Sequence, residues 1–116
     1  MPLLFKIFRL AEWREFAEAG RFGGSRDDLR DGFIHFSFGS QVAETLARHY
    51  ATEDEVVLAS FEAASFGAAL RAEPSRGGAL FPHLYGTITK GQIMHVSHLK
   101  RTAAGFDLPD WCGENN

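Results

Sequence analysis

The connections between the apolar segments of this chain constrain its fold more than any single motif. Short apolar or β-branched runs are typical of strands, and they occur at residues 3–8, 33–38, 56–61, 70–73, 80–86 and 92–98. Helical spacing of apolar residues occurs at 10–19 and 41–50, and an Ala-rich stretch at 62–69 is a weaker helix candidate. Gly and charged turns separate these segments, and the crossovers are too short for a regular parallel sheet. The order predicts an α+β domain with a small, largely antiparallel, curved or split sheet, flanked by two or three short helices.

Local signals set several boundaries. Gly20 follows the first helical segment and is typical of a helix end. Residues 20–32 are predicted as a loop with one helical turn that starts at Ser25. Pro82 has no amide proton to donate to a ladder, so the segment at 80–86 is predicted as an edge strand or an ordered loop. The apolar residues of the C-terminal tail are expected to pack over the surface: Phe106, Leu108, Pro109 and Trp111.

Length, charge and cysteine content limit the classes of function. A chain of 116 residues fits one domain, residues 1–116. A formal net charge of −3 excludes a bulk basic surface for nucleic acid. The single Cys112 excludes an internal disulfide framework and a four-cysteine zinc site. No apolar run reaches the roughly 18 residues of a membrane span, and charges follow the N-terminus too closely for a signal peptide. The expected location is therefore the reducing cytoplasm, away from membranes.

Strand periodicity identifies the first candidate site residues. Successive side chains of a strand point to opposite faces of its sheet. In the strand predicted over 33–38, the apolar side chains of Ile34, Phe36 and Phe38 share one face, which we expect to be core. The other face then carries His35 and Ser37 side by side, away from the core and able to meet a ligand.

The same rule applies to the later segment with a second histidine. It places Phe81, His83 and Tyr85 on one face of the segment at 80–86. If the two segments line one sheet, we expect His35, Ser37, His83 and Tyr85 to converge on one cleft. A histidine on a strand is more often structural or exposed than catalytic, so the pairing with hydroxyls carries this hypothesis.

Two further polar residues are candidates, each with a simpler alternative. Glu73 precedes a Pro-containing turn and would orient a ribose hydroxyl or stabilise developing positive charge; the alternative is a solvated turn carboxylate. Gln41, at the first turn of the second helix, would bond a ligand near Ser37, or else face water. Ser37 would otherwise start the turn into that helix, and Tyr85 would otherwise be an aromatic at the rim of the core.

Other chemistry-bearing residues give weaker signals. His95 and His98 are three apart in a predicted strand and therefore point to opposite faces, which disfavours a shared metal. Cys112 has no activating base nearby in sequence, so a thiol nucleophile is not expected. One cluster is interpreted as a solvated charged loop that flanks a cleft: Arg26, Asp27, Asp28, Arg30 and Asp31.

Several segments together resemble the family called domain of unknown function 952, and the likeness covers nearly the whole chain. The segments are Asp-Gly-Phe-Ile-His-Phe-Ser at 31–37 followed by Gln41, Phe-Pro-His-Leu-Tyr-Gly at 81–86, Trp13, Glu73 and Gly-Phe-Asp-Leu-Pro at 105–109. By resemblance, that family is grouped with the ADP-ribosyltransferase-like fold. The segment at 33–37 is also similar to the His-Ile-His-Leu-Ser type segment of NAD-dependent RNA 2′-phosphotransferases.

The resemblance implies a cleft between two small antiparallel sheets that holds NAD. It places His35 and Ser37 beside that cleft, with His83, Tyr85 and Glu73 as candidate partners. The first strand of such enzymes usually carries His or Arg toward the NAD ribose, whereas this chain has Lys6 there. A lysine would hold a phosphate but accepts no hydrogen bond. The chain also has no clear basic cluster, so the RNA phosphotransferase reaction is not carried over.

The sequence thus predicts a domain that binds a nucleotide or an NAD-like ligand, with NAD as a substrate and no metal. Any chemistry would be transfer or cleavage at the nicotinamide–ribose bond, whose oxocarbenium-like state needs orientation and a nearby negative charge. The predicted catalytic residues are His35, Glu73 and His83, and the predicted ligand-binding residues are Lys6, Ser37, Gln41 and Tyr85. The alternatives are a non-catalytic binding module of the same fold and a metal-dependent hydrolase that uses His35, His83 and Glu73.

Overall fold

The computed structural model describes residues 3–112 of the chain. Its strands are β1 (Leu3–Arg9), β2 (Arg21–Phe22), β3 (Ile34–His35), β4 (Ser37–Phe38), β5 (Glu55–Glu62), β6 (Leu70–Pro74), β7 (Leu80–Leu84), β8 (Ile88–Thr89), β9 (Ile93–Thr102) and β10 (Gly105–Phe106). Its α-helices are α1 (Leu10–Ala19), α2 (Arg26–Asp31) and α3 (Val42–His49). Short 3₁₀ turns cover Gly39–Gln41, Ala63–Ala69, Arg76–Gly78 and Lys90–Gln92. Within residues 3–112, no helix is long and apolar enough to cross a bilayer.

The described strands form antiparallel pairs in three sheets. The largest sheet has the order β10-β9-β5-β1-β4, the second has the order β3-β7-β6, and β2 pairs with β8. The two central strands of the largest sheet, β1 and β5, pair from Leu3 opposite Glu62 to Arg9 opposite Val56. The prediction of an α+β domain with a curled, antiparallel sheet and a few short helices is confirmed.

Side-chain alternation along β1 and β5 builds a core on each face of the largest sheet. One face carries the Phe-rich core, whose buried residues are Leu4, Phe8, Phe16, Phe22, Ile34, Phe36, Val57, Ala59, Phe61, Leu84 and Ile88. The other face carries the tail-side core, whose buried residues are Phe5, Ile7, Val42, Leu46, Val56, Leu58 and Leu99. The C-terminal Phe106, Leu108 and Trp111 pack against this second core, as predicted for the tail.

The helix boundaries follow local signals in the sequence. Helix α1 covers the predicted residues and ends at Gly20, which has the left-handed φ of +80°. The helical turn predicted at Ser25 extends to Asp31 as α2. The Ser25 hydroxyl accepts a hydrogen bond from the Asp28 backbone N–H, and the Asp28 side chain accepts one from the Ser25 N–H. This reciprocal capping box fixes the start of the short helix and turns Asp28 inward.

The strand predicted over 33–38 divides at Phe36, and the edge-strand prediction for 80–86 is wrong. β3 pairs with β7, whereas β4 pairs with β1, and β7 is the central strand of its sheet. The Phe36 N–H donates to the Pro82 carbonyl at 3.0 Å. In an antiparallel ladder, the N–H and C=O of one residue point the same way. Pro82 has no N–H to donate back to the Phe36 carbonyl. The ladder therefore ends at Phe36, and the chain crosses to the larger sheet.

Candidate functional site

A cleft opens where the two larger sheets part. β4 pairs with Leu4 and Phe5, and the cleft runs along the following residues of β1. Its volume is about 500 Å³, which lies in the range of small-molecule sites, roughly 300–1,000 Å³. Its lining comes from β1, α2, the β3–β4 junction, α3, the segment between β6 and β7, and β7 itself: Phe5, Lys6, Ile7, Arg9, Ser25, Asp27, Asp28, Arg30, Asp31, His35, Phe36, Ser37, Glu44, Thr45, Arg48, His49, Tyr50, Ser75, Gly77, Ala79, Phe81 and His83.

Asp28 is the centre of a buried hydrogen-bond network and is 2% exposed. Its Oδ2 accepts from Lys6 Nζ at 2.9 Å and from the Ser25 N–H at 2.8 Å. Its Oδ1 accepts from the His35 N–H at 3.1 Å and contacts His35 Nδ1 at 2.6 Å. Burial by itself raises the pKa of this carboxyl, but the hydrogen bond from His35, the charge of Lys6 and the Ser25 N–H outweigh it. The pKa of Asp28 is therefore held well below its usual range.

His35 presents its ring to the cleft between two carboxylates, with 36% of its side chain exposed. Nδ1 faces Asp28, and Nε2 lies 3.0 Å from Asp31 Oδ2. Only the doubly protonated ring can donate to both carboxylates at once. The hydrogen bond from Arg30 lowers the pKa of Asp31, and the charges of Arg30 and His35 add to that effect. An ionised carboxylate thus lies at the cleft side of the imidazole.

His83 is a buried imidazole with one nitrogen occupied and the other vacant. Its Nδ1 lies 2.8 Å from Glu73 Oε1, and the Tyr85 hydroxyl donates to the same oxygen at 2.7 Å. The hydrogen bonds from Tyr85 and His83 lower the pKa of Glu73. Because the ionised carboxylate can only accept, the ring nitrogen that carries a proton and donates to it is His83 Nδ1. The ring stacks on Phe33 with centroids 3.9 Å apart. Among the described residues, His83 Nε2 is the buried side-chain polar atom that lacks a hydrogen-bond partner.

The strand register brings the two histidines together. His35 lies opposite His83 in the β3–β7 pair, and their ring centroids are 5.7 Å apart. Ser37 is buried in the same cleft wall, with its hydroxyl 3.3 Å from that of Thr45 on α3. The predicted proximity of His35, Ser37 and His83 is therefore confirmed, while their roles toward a ligand stay predictions.

The other predicted site residues occupy different positions. Lys6 lines the cleft but is buried, and its ammonium donates to Asp28 and to the His35 carbonyl. The cleft that the described residues form is not lined by Glu73, Gln41 or Tyr85. Glu73 lies on the Nδ1 side of His83 and is shared with the hydroxyl of Tyr85. The convergence predicted for Tyr85 on the cleft is therefore wrong; its hydroxyl bonds to Glu73 outside the cleft lining.

Gln41 joins two backbone segments. Its Oε1 accepts from the Phe38 N–H at 2.9 Å, and its Nε2 donates to the Leu80 carbonyl at 2.8 Å. The side-chain amide thus connects the start of α3 to the start of β7.

The charged segment at 26–31 was predicted to flank a cleft as a solvated loop, without a role for any of its residues in the site. Asp28 is buried, which corrects the interpretation of the cluster as solvated. Asp27, Arg30 and Asp31 do line the cleft, as expected for a loop that flanks one. Two signals in the sequence point to Asp28: its capping-box spacing from Ser25, and the need of Lys6, in an apolar strand, for a counter-ion.

A metal centre is not supported by the geometry. Within residues 3–112, no group of three or more His, Cys, Asp or Glu is arranged to hold a metal ion. The set proposed for a metal-dependent hydrolase, His35, His83 and Glu73, is thus not a ligand set. His95 contacts the Ser60 hydroxyl at 2.9 Å and stacks on Trp111, whereas His98 contacts Glu55.

Solved structures of one other protein are similar to this chain over most of its length. The crystal structure of protein CC0527 from Caulobacter crescentus is 42% identical, with a TM-score of 0.84 over 90% of this chain and 91% of that chain. The solution NMR structure of the same protein has a TM-score of 0.81 over 91% of each chain. No curated protein matches the chain. The family model described as "Protein of unknown function (DUF952)" matches residues 7–96, and the chain therefore belongs to that family.

Proposed function

We propose that the cleft binds a nucleotide or an NAD-like ligand through its ribose. The observation that carries this proposal is the buried, unpartnered Nε2 of His83 in the cleft wall beside His35. A buried acceptor without a partner costs about 1–3 kcal/mol, so a ligand that supplies a donor there recovers that cost. The nitrogen is shielded from solvent, and contact with a ligand therefore requires the neighbouring rings to shift.

A ribose suits this pair of imidazoles because each hydroxyl can both donate and accept a hydrogen bond. One hydroxyl would donate to His83 Nε2, which Glu73 keeps as an acceptor by binding Nδ1. His35, whose Nε2 lies 3.0 Å from Asp31, would contact the adjoining part of the ligand once Asp31 moves aside. The half-buried Phe81 in the cleft wall offers apolar surface to a base or a nicotinamide ring.

The sheet arrangement also supports an NAD-like ligand. The cleft lies where a five-stranded and a three-stranded antiparallel sheet part at Phe36. The resemblance to the ADP-ribosyltransferase-like fold implies a ligand at that kind of junction. The fold assignment itself is part of the proposal.

A non-catalytic binding module is the second candidate, and the position of Glu73 favours it. Transfer at the nicotinamide–ribose bond needs a negative charge near the oxocarbenium-like centre. Glu73, the carboxylate predicted for that role, is engaged by His83 and Tyr85 and does not line the cleft. Turnover would therefore need another carboxylate in place of Glu73, one that lines the cleft, such as Asp27 or Glu44.

Calorimetry with NAD, ADP-ribose and adenosine tests the binding proposal. We expect wild type to bind at least one of them, and His83→Ala to weaken that binding by about tenfold, which corresponds to ~1.4 kcal/mol. His98→Ala is the matched control, because His98 lies on β9 and pairs with Glu55 outside the cleft. Absence of binding to wild type would overturn the proposal.

Because His83 is buried, His83→Ala could weaken binding by disturbing the fold, and a second variant separates the two effects. Glu73→Gln keeps the imidazole but removes the ionised partner of Nδ1, so it weakens the preference for an acceptor at Nε2. We expect weaker binding with unchanged far-UV circular dichroism. Release of nicotinamide from NAD, followed by chromatography, separates an enzyme from a binding module.

A further inference from the structure

The carboxylate of Asp31 occupies a position that suits an anion of a ligand. Its Oδ2 lies 3.0 Å from His35 Nε2, and its Oδ1 lies 3.0 Å from Arg30 Nε. Arg30 Nη2 lies 3.5 Å from Oδ2, so the guanidinium faces both oxygens. An imidazole N–H and a guanidinium fork on one anion form a typical phosphate-binding set.

We infer that Asp31 is a replaceable stand-in for the phosphate of a nucleotide, and that the phosphate displaces it from His35 and Arg30. This inference rests on the proposed function and names the group that would enter beside His35. In the displaced state, the phosphate oxygens accept from His35 Nε2 and from the Arg30 guanidinium, while the Asp31 side chain turns toward solvent.

The two carboxylates on His35 differ in a way that decides which one leaves. Asp28 is 2% exposed and holds Lys6, Ser25 and His35 together, so its removal breaks a buried network. The Asp31 side chain is 34% exposed, and its partner Arg30 is 68% exposed. Both partners of the exchangeable contact can therefore move without opening the core.

The position of Asp31 in α2 gives a second argument. It is the last residue of the helix, where the negative end of the helix dipole disfavours any anion, so the contacts of the site must outweigh that effect. Its carboxylate makes no capping bond in α2, in contrast to that of Asp28. The contacts with Arg30 and His35 are therefore what stabilises the Asp31 carboxylate at this position, and a phosphate would make the same contacts.

Asp27→Ala is a matched control for Asp31→Ala. Asp27 lies on the same helix, lines the same cleft and contacts Arg30 Nη1 at 3.2 Å. Both substitutions remove one negative charge, but only Asp31 contacts His35. The difference between the two variants therefore isolates the displacement of Asp31 from the general gain in positive potential.

The experiment titrates each variant with inorganic phosphate and follows the imidazole ¹⁵N shifts of His35 by NMR. Calorimetry with AMP and adenosine runs in parallel. We expect Asp31→Ala to bind phosphate and AMP about tenfold more tightly than Asp27→Ala, the size expected for one charge-assisted contact, with adenosine unchanged. Circular dichroism confirms that both variants are folded.

The outcomes separate this inference from the proposed function. Equal phosphate affinity in the two variants, or weaker binding by Asp31→Ala, would overturn the displacement of Asp31. Tighter phosphate binding by Asp31→Ala with no binding of AMP or adenosine would retain the anion position and overturn the nucleotide. Asp31→Asn, which keeps an acceptor near His35, should fall between wild type and Asp31→Ala.

Discussion

Lys6 lies in the middle of β1, between the buried side chains of Phe5 and Ile7. A buried ammonium is strongly destabilising unless a partner and further hydrogen bonds compensate for the lost hydration. Asp28 supplies the charge, and the carbonyl of His35 takes a second donor of the ammonium. Since Asp28 also holds His35, one residue links the stability of the fold to the geometry of the cleft.

We expect Asp28→Asn to lower the free energy of unfolding at pH 7 by about 3–5 kcal/mol, the range for breaking a buried ion pair from one side. The Asn amide would donate toward groups that are themselves donors, and Lys6 would stay buried without a counter-charge. Urea denaturation measures the loss. Asp27→Asn, on the exposed side of the same helix, should change it by less than about 0.5 kcal/mol. The double variant with Lys6→Met should recover part of the loss.

The same substitution should change the dependence of stability on pH. The pKa of Asp28 is lowered in the folded state, below an unfolded value of about 3.9. Its ionised form therefore stabilises the fold at pH values above about 4, and this contribution is lost as the pH falls through the folded-state pKa. The stability difference between wild type and Asp28→Asn should shrink on acidification. A difference that stays constant from pH 7 to pH 3 would contradict this account.

At the scale of elements, side-chain amides tie 3₁₀ turns to distant segments. Gln41 caps the turn Gly39–Gln41 and donates to Leu80 of β7. Gln92 does the same for the turn Lys90–Gln92, since it accepts from the Thr89 N–H and donates to the Ser65 carbonyl. In both cases one side-chain amide accepts from the backbone N–H at the start of a turn and donates to a backbone carbonyl far along the chain.

We expect Gln41→Ala to lower the free energy of unfolding by about 1 kcal/mol, as two partly exposed hydrogen bonds are lost. Gln41→Glu keeps the acceptor for the Phe38 N–H and loses the donor to Leu80, so it should cost less than Gln41→Ala. Urea denaturation gives the stability, and hydrogen exchange at β7 shows whether the tie is local. Wild-type stability of Gln41→Ala would show that the amide contributes nothing.

The sequence predicted the elements whose boundaries depend on neighbouring residues. Helix α1 and its end at Gly20 follow from apolar spacing and a left-handed glycine, and β1 and β5 follow from nearly continuous apolar runs. The division at Phe36 could not be predicted in this way, because it depends on Pro82 across the β3–β7 pair. The two-residue strands β2 and β8 were missed, since so short a run carries no periodicity.

The candidate site was predicted in part for the same reason. Strand alternation placed His35, Ser37 and His83 on one side, and the structure brings them together. Asp28 and Asp31 contact His35 from a helix of six residues, whose inward face is too short to recognise from charge spacing. The capping-box spacing from Ser25 marks Asp28, and the charge of Lys6 calls for a partner, but only the tertiary structure brings the two side chains together.

At the scale of the whole molecule, β1 and β5 contribute to both cores. Neighbouring residues Leu4 and Phe5 belong to different cores, as do Val57 and Leu58. Neither core can lose its packing without disturbing the strands that form the other. The 110 residues described are thus expected to unfold as one cooperative unit, as small domains usually do.

Each core has its own tryptophan, which makes this cooperativity measurable. Trp13 packs on Phe8 and Phe16 beside the Phe-rich core, and Trp111 stacks on Phe5 beside the tail-side core. The chain contains these two tryptophans, so Trp111→Phe leaves a reporter of the first core and Trp13→Phe leaves a reporter of the second.

We expect fluorescence and far-UV circular dichroism to give the same urea midpoint within each variant, because loss of either core removes the packing of β1 and β5. Comparing the two signals inside one variant cancels any change in stability caused by the substitution itself, which should stay below about 1.5 kcal/mol for such a conservative exchange. A Trp111 transition at lower urea than the circular dichroism transition would show that the tail and the tail-side core separate first. The two faces of the central sheet would then be independent units, and the link between β1, Asp28 and the cleft would be confined to the Phe-rich face.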